Sequence, residues 1–231
     1  MGSVAAASAA VASAAWAVRG RSSTIFADSI WRGPRDRRAI ALTFDDGPSE
    51  STPEILSLLE KHRVPATFFQ VGANVDRLPS ISQAVAAAGH EIGNHSYSHP
   101  LFCFRRQSFM AAELRRAQET IEARTGAGPR WFRAPFGVRW PGLGAAQRRW
   151  GLTGVMWTVI GYDWKLEENA VAGRISGRVG NGAILCLHDG RELHARPDVT
   201  STVKAVGLLV PRLLDQGYKF ETVSGLLCQT S

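Results

Sequence analysis

Apolar and polar positions follow two spacings along most of this chain. Short apolar runs alternate with longer stretches in which apolar side chains return every three or four positions. The first run, Ala39-Ile40-Ala41-Leu42-Thr43-Phe44, reads as a strand. Thr52 then reads as a helix cap, with Pro53 at the first helical position and Ile55, Leu58 and Leu59 on one face. Ala66 to Val71 is the second strand, and Ser80 to Ala88 its helix, ended by Gly89. His90 to Asn94 is a third, shorter strand. Ser108 is placed to cap a helix whose Met110, Leu114, Ala117 and Ile121 share a face, and Gly126 and Gly128-Pro129 stop it. Trp131 to Ala134, Thr153 to Val159 and Ala183 to His188 are the fourth, fifth and sixth strands. Tyr218 to Val223 is the seventh, reached through a helix from about Thr202 to Gln216.

Strands that alternate with helices predict parallel pairing with helical crossovers. Seven units within the stretch from Ala39 onward predict an α/β fold, a distorted (β/α)7 barrel that lacks one unit of the eight-stranded plan. An open doubly wound sheet is the alternative, but it usually carries a Gly-rich phosphate loop after the first strand, and none stands here. No repeat or low-complexity linker interrupts the chain from Ala39 on. Residues 39–231 therefore read as one domain, and 1–38 as an Ala-rich segment and lead-in. Within that lead-in, Val4 to Val18 is too short to span a bilayer. Its first positive charges, Arg19 and Arg21, follow the apolar stretch, where a secretory signal has them in front. It reads as a packing helix.

Composition changes this picture little. With 45% apolar and 20% charged residues the chain has the balance of a soluble globular protein, which sets disorder aside. A formal net charge of +7 favours anionic partners. No Lys/Arg run interleaved with aromatics accompanies it, so a nucleic-acid partner is not expected. Cys103, Cys186 and Cys228 are odd in number and form no C-x-x-C pair, against both a disulfide scaffold and a cysteine-ligated zinc site. Cys186 lies inside an apolar run and reads as a small core residue.

The candidate chemistry sits where the strands end. Thr43-Phe44-Asp45-Asp46-Gly47-Pro48 sets two carboxylates side by side. Neighbours on a strand point to opposite faces, so the two can share a task only if the chain bends, as Gly47-Pro48 allows. One carboxylate can ligate a metal while the other stays free to take a proton. Each also fits a plain turn. His95-Ser96-Tyr97-Ser98-His99 carries two histidines four apart, which share a face if the segment turns helically. Two imidazoles and a carboxylate suit zinc and its neighbours and leave a coordination position open for water. Arg133 follows the fourth strand, Asp163-Trp164 the fifth, Leu187-His188-Asp189 closes the sixth, and Gly72 follows the second. Barrel enzymes build their sites at such strand ends.

Taken together these segments resemble the polysaccharide deacetylases of the NodB-homology type, carbohydrate esterase family four. The carriers are Thr-Phe-Asp-Asp-Gly-Pro, His-Ser-x-x-His, Arg133-Ala134-Pro135-Phe136-Gly137, Asp163-Trp164 and Leu185-Cys186-Leu187-His188, with Ala66-Thr67-Phe68-Phe69 and Gly89 to His95 as framework, so that the likeness covers about Ala39 to Leu227. The resemblance implies one divalent metal, usually zinc with cobalt or nickel as alternatives, on Asp46, His95 and His99. It implies Asp45 as general base, Arg133 holding it, His188 as general acid and Asp163 orienting that acid. A backbone N–H near Phe136 would serve the oxyanion, and Trp164 and Leu187 would line the acetyl pocket. It implies an N-acetylated carbohydrate polymer or oligomer as substrate, no stable protein partner, and a secreted or cell-envelope location. Such a metal lowers the pKa of its water from about 16 toward 7 and polarises the carbonyl, which a resistant amide requires. Two departures stand out: Phe136 where many members carry Tyr, and Ile160 where many carry an Asp three residues before the Asp-Trp pair. His194 lies nearby in sequence and reads as a loop residue. The rival readings are an O-acetyl esterase using the same metal centre, and a carbohydrate-binding homologue that has lost activity. The presence of Asp45, His188 and every ligand speaks against the second.

Overall fold

The computed structural model describes residues 2–227. Helix α1 (Gly2–Arg19) and strand β1 (Ser29–Ile30) precede β2 (Ala39–Asp45), α2 (Thr52–His62), β3 (Thr67–Gln70), α3 (Gly72–Arg77), α4 (Pro79–Ala87), β4 (Glu91–Asn94) and α5 (Gln107–Thr125). The second half holds β5 (Trp131–Phe132), α6 (Leu143–Arg149), β6 (Thr153–Val155), β7 (Val159–Ile160), α7 (Glu168–Ser176), β8 (Ile184–His188), α8 (Thr200–Asp215), β9 (Lys219–Glu221) and α9 (Val223–Leu227).

The strands form one parallel sheet in the order β1-β6-β5-β4-β3-β2-β8-β7, with β9 beside the start of β2. β6 and β7 lie near opposite ends of that order, yet only residues 156–158 separate them in sequence. The sheet must therefore curl until its ends approach, which gives the distorted barrel expected of the alternating pattern. The single fifth strand expected over Thr153–Val159 is corrected here into two. β6 pairs with β5 and β1, whereas β7 pairs with β8. Thr158 holds the corner. Its hydroxyl donates to Trp31 O at 2.8 Å, and its N–H donates to Ile184 O at 2.8 Å.

Period-two alternation sets the two faces of β2. Ile40, Leu42 and Phe44 point outward into a cluster with Ile55 and Leu59 of α2, Val171 and Ile175 of α7, and Leu209, Val210 and Leu213 of α8. Burying each such side chain is worth roughly 1.5–3 kcal/mol. Ala39 and Ala41 point inward, where Phe69, Trp131, Val155, Ile184, Val223 and Leu226 fill the barrel. Asp45 continues this inner row.

Two helix starts differ from expectation. The cap position of α2 is Ser51, and the Thr52 hydroxyl turns instead to Asp189 Oδ2 at 2.6 Å while accepting from the Ser49 N–H. The cap position of α5 is Arg106, so Ser108 lies inside the first turn. The C-terminal end of α1 docks on the barrel: Ala17 is buried, and Val18 O accepts the Arg139 N–H. The buried Arg139 guanidinium donates to Gly20 O and Ser23 O. Among the described residues no helix is long and apolar enough to cross a membrane. Cys228 lies outside the described residues.

Candidate metal centre and active site

The two neighbouring aspartates are separated by a turn at the second of them. Asp45 ends β2 on its inner face, and Asp46 takes the left-handed conformation (φ 72°). That bend sends Asp46 away from Asp45 toward the loop after β4. Its Oδ1 stands 3.3 Å from His95 Nε2 and 3.1 Å from His99 Nε2, and its Oδ2 accepts the Glu192 N–H at 3.0 Å. All three side chains are buried.

The His95–His99 segment is not helical, contrary to the spacing argument. Ser96 (φ 64°) and His99 (φ 53°) are left-handed, and the turn they make brings the two rings together at 4.9 Å between centroids. Glu113 of α5 pins the turn by accepting the Tyr97 and Ser98 N–H groups and the Ser98 hydroxyl. Asn94 Oδ1 accepts the Ser96 N–H. His95 Nδ1–H donates to Arg133 O at 2.7 Å, which fixes the tautomer and leaves Nε2 as a lone-pair donor.

These residues fit a metal ion. Bonds of about 2.0–2.1 Å in tetrahedral array set ligand atoms about 3.3 Å apart, close to the separations around Asp46 Oδ1. Burial alone would raise the Asp46 carboxyl, but the side chains of His95 and His99 hydrogen-bonded to it, with the nearby His99 and His188 charges, hold it well below the usual carboxylate range. Asp46, His95 and His99 form one compact set of possible ligands; Asp45, Cys186 and His188 form another.

Asp45 is held from behind. Arg133, fully buried, donates Nη1 to Asp45 Oδ1 at 2.6 Å and to Thr43 Oγ1 at 2.8 Å. It donates Nε to Val155 O and Nη2 to Met156 O, and its guanidinium lies 4.0 Å from the Phe69 ring centroid. Across the opening, His188 Nδ1 faces Asp163 Oδ1 at 3.0 Å. Asp163 Oδ2 accepts the His188 backbone N–H at 2.9 Å and the Thr202 hydroxyl at 2.6 Å. Burial opposes charge on His188, yet Asp163, with Asp46 and Asp45 behind it, raises its pKa from 6.5 to about 9. Burial likewise opposes charge on Asp163, and His188, Thr202 and Arg191 hold its carboxyl below the usual range.

Both carboxylate–cation pairs and the Asp46 cluster open onto one cavity of about 560 Å³. Phe136 (φ 57°) and Trp164 stand at its mouth, 42% and 40% exposed, their rings edge-on to His99 and His188 respectively. Sequence reasoning missed Arg19, Trp157, Tyr162, Arg191 and Glu192, which also line it. Arg19 carries no sequence signal, since it comes from the lead-in; Arg191 and Glu192 follow the turn after β8. His194 lines the cavity as well.

Leu187 is corrected. Alternation along β8 turns it outward into the helix-facing core, fully buried, while Cys186 and His188 occupy neighbouring steps of the strand beside Asp45. Phe102 is core. Phe104 is 86% exposed and packs on Trp140 away from the cavity lining. Gly72 opens α3, and a Cβ there would press on Tyr97 and the Ala117 backbone.

Comparison with known proteins places this architecture. Residues 32–155 match the polysaccharide deacetylase family. A chitooligosaccharide deacetylase of a Bradyrhizobium species is 35% identical over 198 residues, covering 82% of this chain and 90% of the relative. Among solved structures, a peptidoglycan N-acetylglucosamine deacetylase superimposes with a TM-score of 0.81 at 29% identity, covering 87% of this chain and 94% of the other. A CE4 family pseudoenzyme from Bacillus anthracis superimposes at 0.79 and 30% identity, covering 86% and 68%.

Proposed function

The chain belongs to the polysaccharide deacetylase family, and on that premise we propose that it hydrolyses the N-acetyl groups of N-acetylglucosamine units in a chitin-like or peptidoglycan glycan. One divalent ion, zinc before cobalt or nickel, would be held by Asp46, His95 and His99. The observation that carries the reading is the convergence of two imidazole Nε2 atoms on Asp46 Oδ1 between two oppositely built carboxylate–cation pairs.

When bound, the ion would act as a Lewis acid, making water at the site more acidic and polarising the acetyl carbonyl. Asp45 accepts the proton of the attacking water. Arg133 holds one of its oxygens and leaves the other for that proton. The Phe136 turn offers backbone N–H to the developing oxyanion. His188 gives a proton to the leaving nitrogen, and Asp163 keeps the ring charged and aimed. Each proton transfer contributes roughly 10²–10⁴ in rate. Trp164 and Tyr162, packed edge to face at 5.3 Å, wall off the acetyl group.

The strongly supported acid favours the amide over the O-acetyl ester. An amine leaves only once protonated, whereas an alkoxide needs less help. The silent-homologue reading has a precedent in the Bacillus anthracis pseudoenzyme, but here the base, the acid and all three ligands are present.

The test is acetate release from chitopentaose and from peptidoglycan after chelation, then with zinc, cobalt or nickel, beside the Asp45→Asn variant. Metal-restored release that the variant lacks supports the reading. Failure on both amides with release from acetylated xylan would replace it with the ester.

A further inference from the structure

Cys186 is more than a small filler of the barrel. It sits on β8 opposite Thr43 of β2, two residues before His188. Its Sγ lies 3.4 Å from Asp45 Oδ2, the oxygen that Arg133 leaves free. The ligand atoms of Asp45, Cys186 and His188 all fall within 4.8 Å of one another. The His188 Nδ1 is committed to Asp163, so Nε2 is the ring atom left to bind, in the carboxylate–histidine–metal arrangement that orients imidazole ligands. An alanine or valine would fill the same space without bringing sulfur to the carboxylate.

We propose that Asp45, Cys186 and His188 form a second site for a thiophilic divalent ion such as zinc or cobalt, and that filling it switches the enzyme off. A thiolate, an imidazole and a carboxylate are the donor types that these ions accept together. Coordination releases the Cys186 thiol proton and any proton on His188 Nε2 to solvent, and no electron moves. The inhibitory part rests on the catalytic reading above, because the ion would occupy the base and the acid at once. Binding itself does not. Two dications close together repel, and Arg133 adds a third positive centre, so this site fills after the first and at least about tenfold more weakly.

The experiment titrates cobalt(II) into the metal-free full chain without substrate. The wild type should bind two equivalents, and a near-ultraviolet thiolate-to-cobalt charge-transfer band should grow with the second. Cys186→Ala should bind one equivalent and show no band, and Cys103→Ala should behave as wild type. Cys186→Ser, which keeps the side-chain size, serves if the alanine variant does not fold, and it should also lack the band. Activity on chitopentaose is then compared at one equivalent of zinc and at excess, each protein normalised to its own one-equivalent rate. Excess zinc should slow the wild type about a hundredfold or more, the scale of a lost proton-transfer group, and leave the Cys186 variant near its own reference. A wild type saturated with cobalt that shows no thiolate band, or a band that survives in Cys186→Ala, overturns the site. Equal zinc inhibition in both proteins overturns the switch. A cobalt–thiolate band in a chain that releases no acetate upholds the site and removes the catalytic reading instead.

Discussion

Replacing Asp163 by Asn removes the charge that keeps His188 protonated, and the cost follows from the contacts of one carboxylate. Its two oxygens meet three donors: the His188 ring at 3.0 Å, the His188 N–H at 2.9 Å and the Thr202 hydroxyl at 2.6 Å. An amide keeps one acceptor oxygen and turns an NH2 toward one of those donors. In metal-free protein His188 titrates at about 9 instead of 6.5. At about 1.4 kcal/mol per pH decade that interval corresponds to roughly 3 kcal/mol. The lowered Asp163 pKa is the same attraction seen from the other side and is counted once. A folded-state pKa above the unfolded one stabilises fully below the unfolded value, and the benefit is lost as pH rises through the folded value. The stabilisation is therefore complete below pH 6.5 and gone above about 9. The gap in unfolding free energy between wild type and Asp163→Asn, measured with denaturant in the presence of chelator, should narrow by about 2–3 kcal/mol between pH 6 and pH 10. In the metal-loaded enzyme kcat for acetate release should fall about 10²–10⁴-fold while KM changes little. A stability gap independent of pH would refute the ion pair, and an unchanged kcat would refute its service to catalysis.

Arg133→Met should lower unfolding free energy by about 3–5 kcal/mol in denaturant titrations, because it strands buried Asp45 along with the Val155 and Met156 carbonyls. Asp46→Ala should weaken zinc binding by more than about a hundredfold in calorimetry, beyond what loss of an outer-shell partner costs, and leave the thermal stability of metal-free protein close to wild type. Peptidoglycan hydrolysis should fall steeply with added salt while chitopentaose hydrolysis does not, since the +7 chain with Arg19 and Arg191 at its cavity attracts an acidic polymer through screened charge. Removing residues 1–38 should depress the unfolding midpoint by several degrees, because it strips β1 from β6 and takes the Gly20 and Ser23 carbonyls from buried Arg139.

Much of this architecture is written in local pattern. Ile40, Leu42 and Phe44 against Ala39, Ala41 and Thr43 announce both faces of β2, and the helical face of α5 reads directly from Met110, Leu114, Ala117 and Ile121. What local pattern hides is where the chain changes direction under tertiary control. Thr153–Val159 is continuous in hydropathy, and only the need to join opposite ends of the curled sheet breaks it at Thr158. The two histidines converge on Asp46 Oδ1 through a left-handed turn held by Glu113, which lies 14 residues after His99 and is announced by no motif. Leu187 was misplaced for a simpler reason: the period of two, applied back from His188, puts Cys186 beside the site and Leu187 against the helices. Arg19 reaches the cavity because the end of α1 docks on the barrel through Ala17 and Val18, and because Arg139 anchors the chain that follows it.

The charges around the cavity favour Asp46 over its neighbour as a ligand of the proposed metal. Asp45 is neutralised by Arg133 at 2.6 Å, and Asp163 by His188 at 3.0 Å. Asp189 lies buried against the same loop. Burial, with the nearby Asp46 and Asp45 charges, raises its pKa to about 7 even though Thr52 donates to it, so it is only partly ionised at neutral pH. Among the described residues Asp46 has no Lys or Arg partner comparable to Arg133; His95 and His99 face it through Nε2, and the Nδ1 of His95 is turned to a backbone carbonyl. One negative charge with two imidazoles beside it, on side chains that are largely buried, is costly alone and favourable around a dication. A dication there would also offset the Asp46 charge that helps hold His188 up, and so would bring the proposed acid down toward the pH at which it must give its proton away. The side-by-side aspartates are thus fitted to the different tasks proposed for them, because the backbone turn at Asp46 gives each a different partner: a fixed guanidinium for Asp45 and two imidazole Nε2 atoms for Asp46.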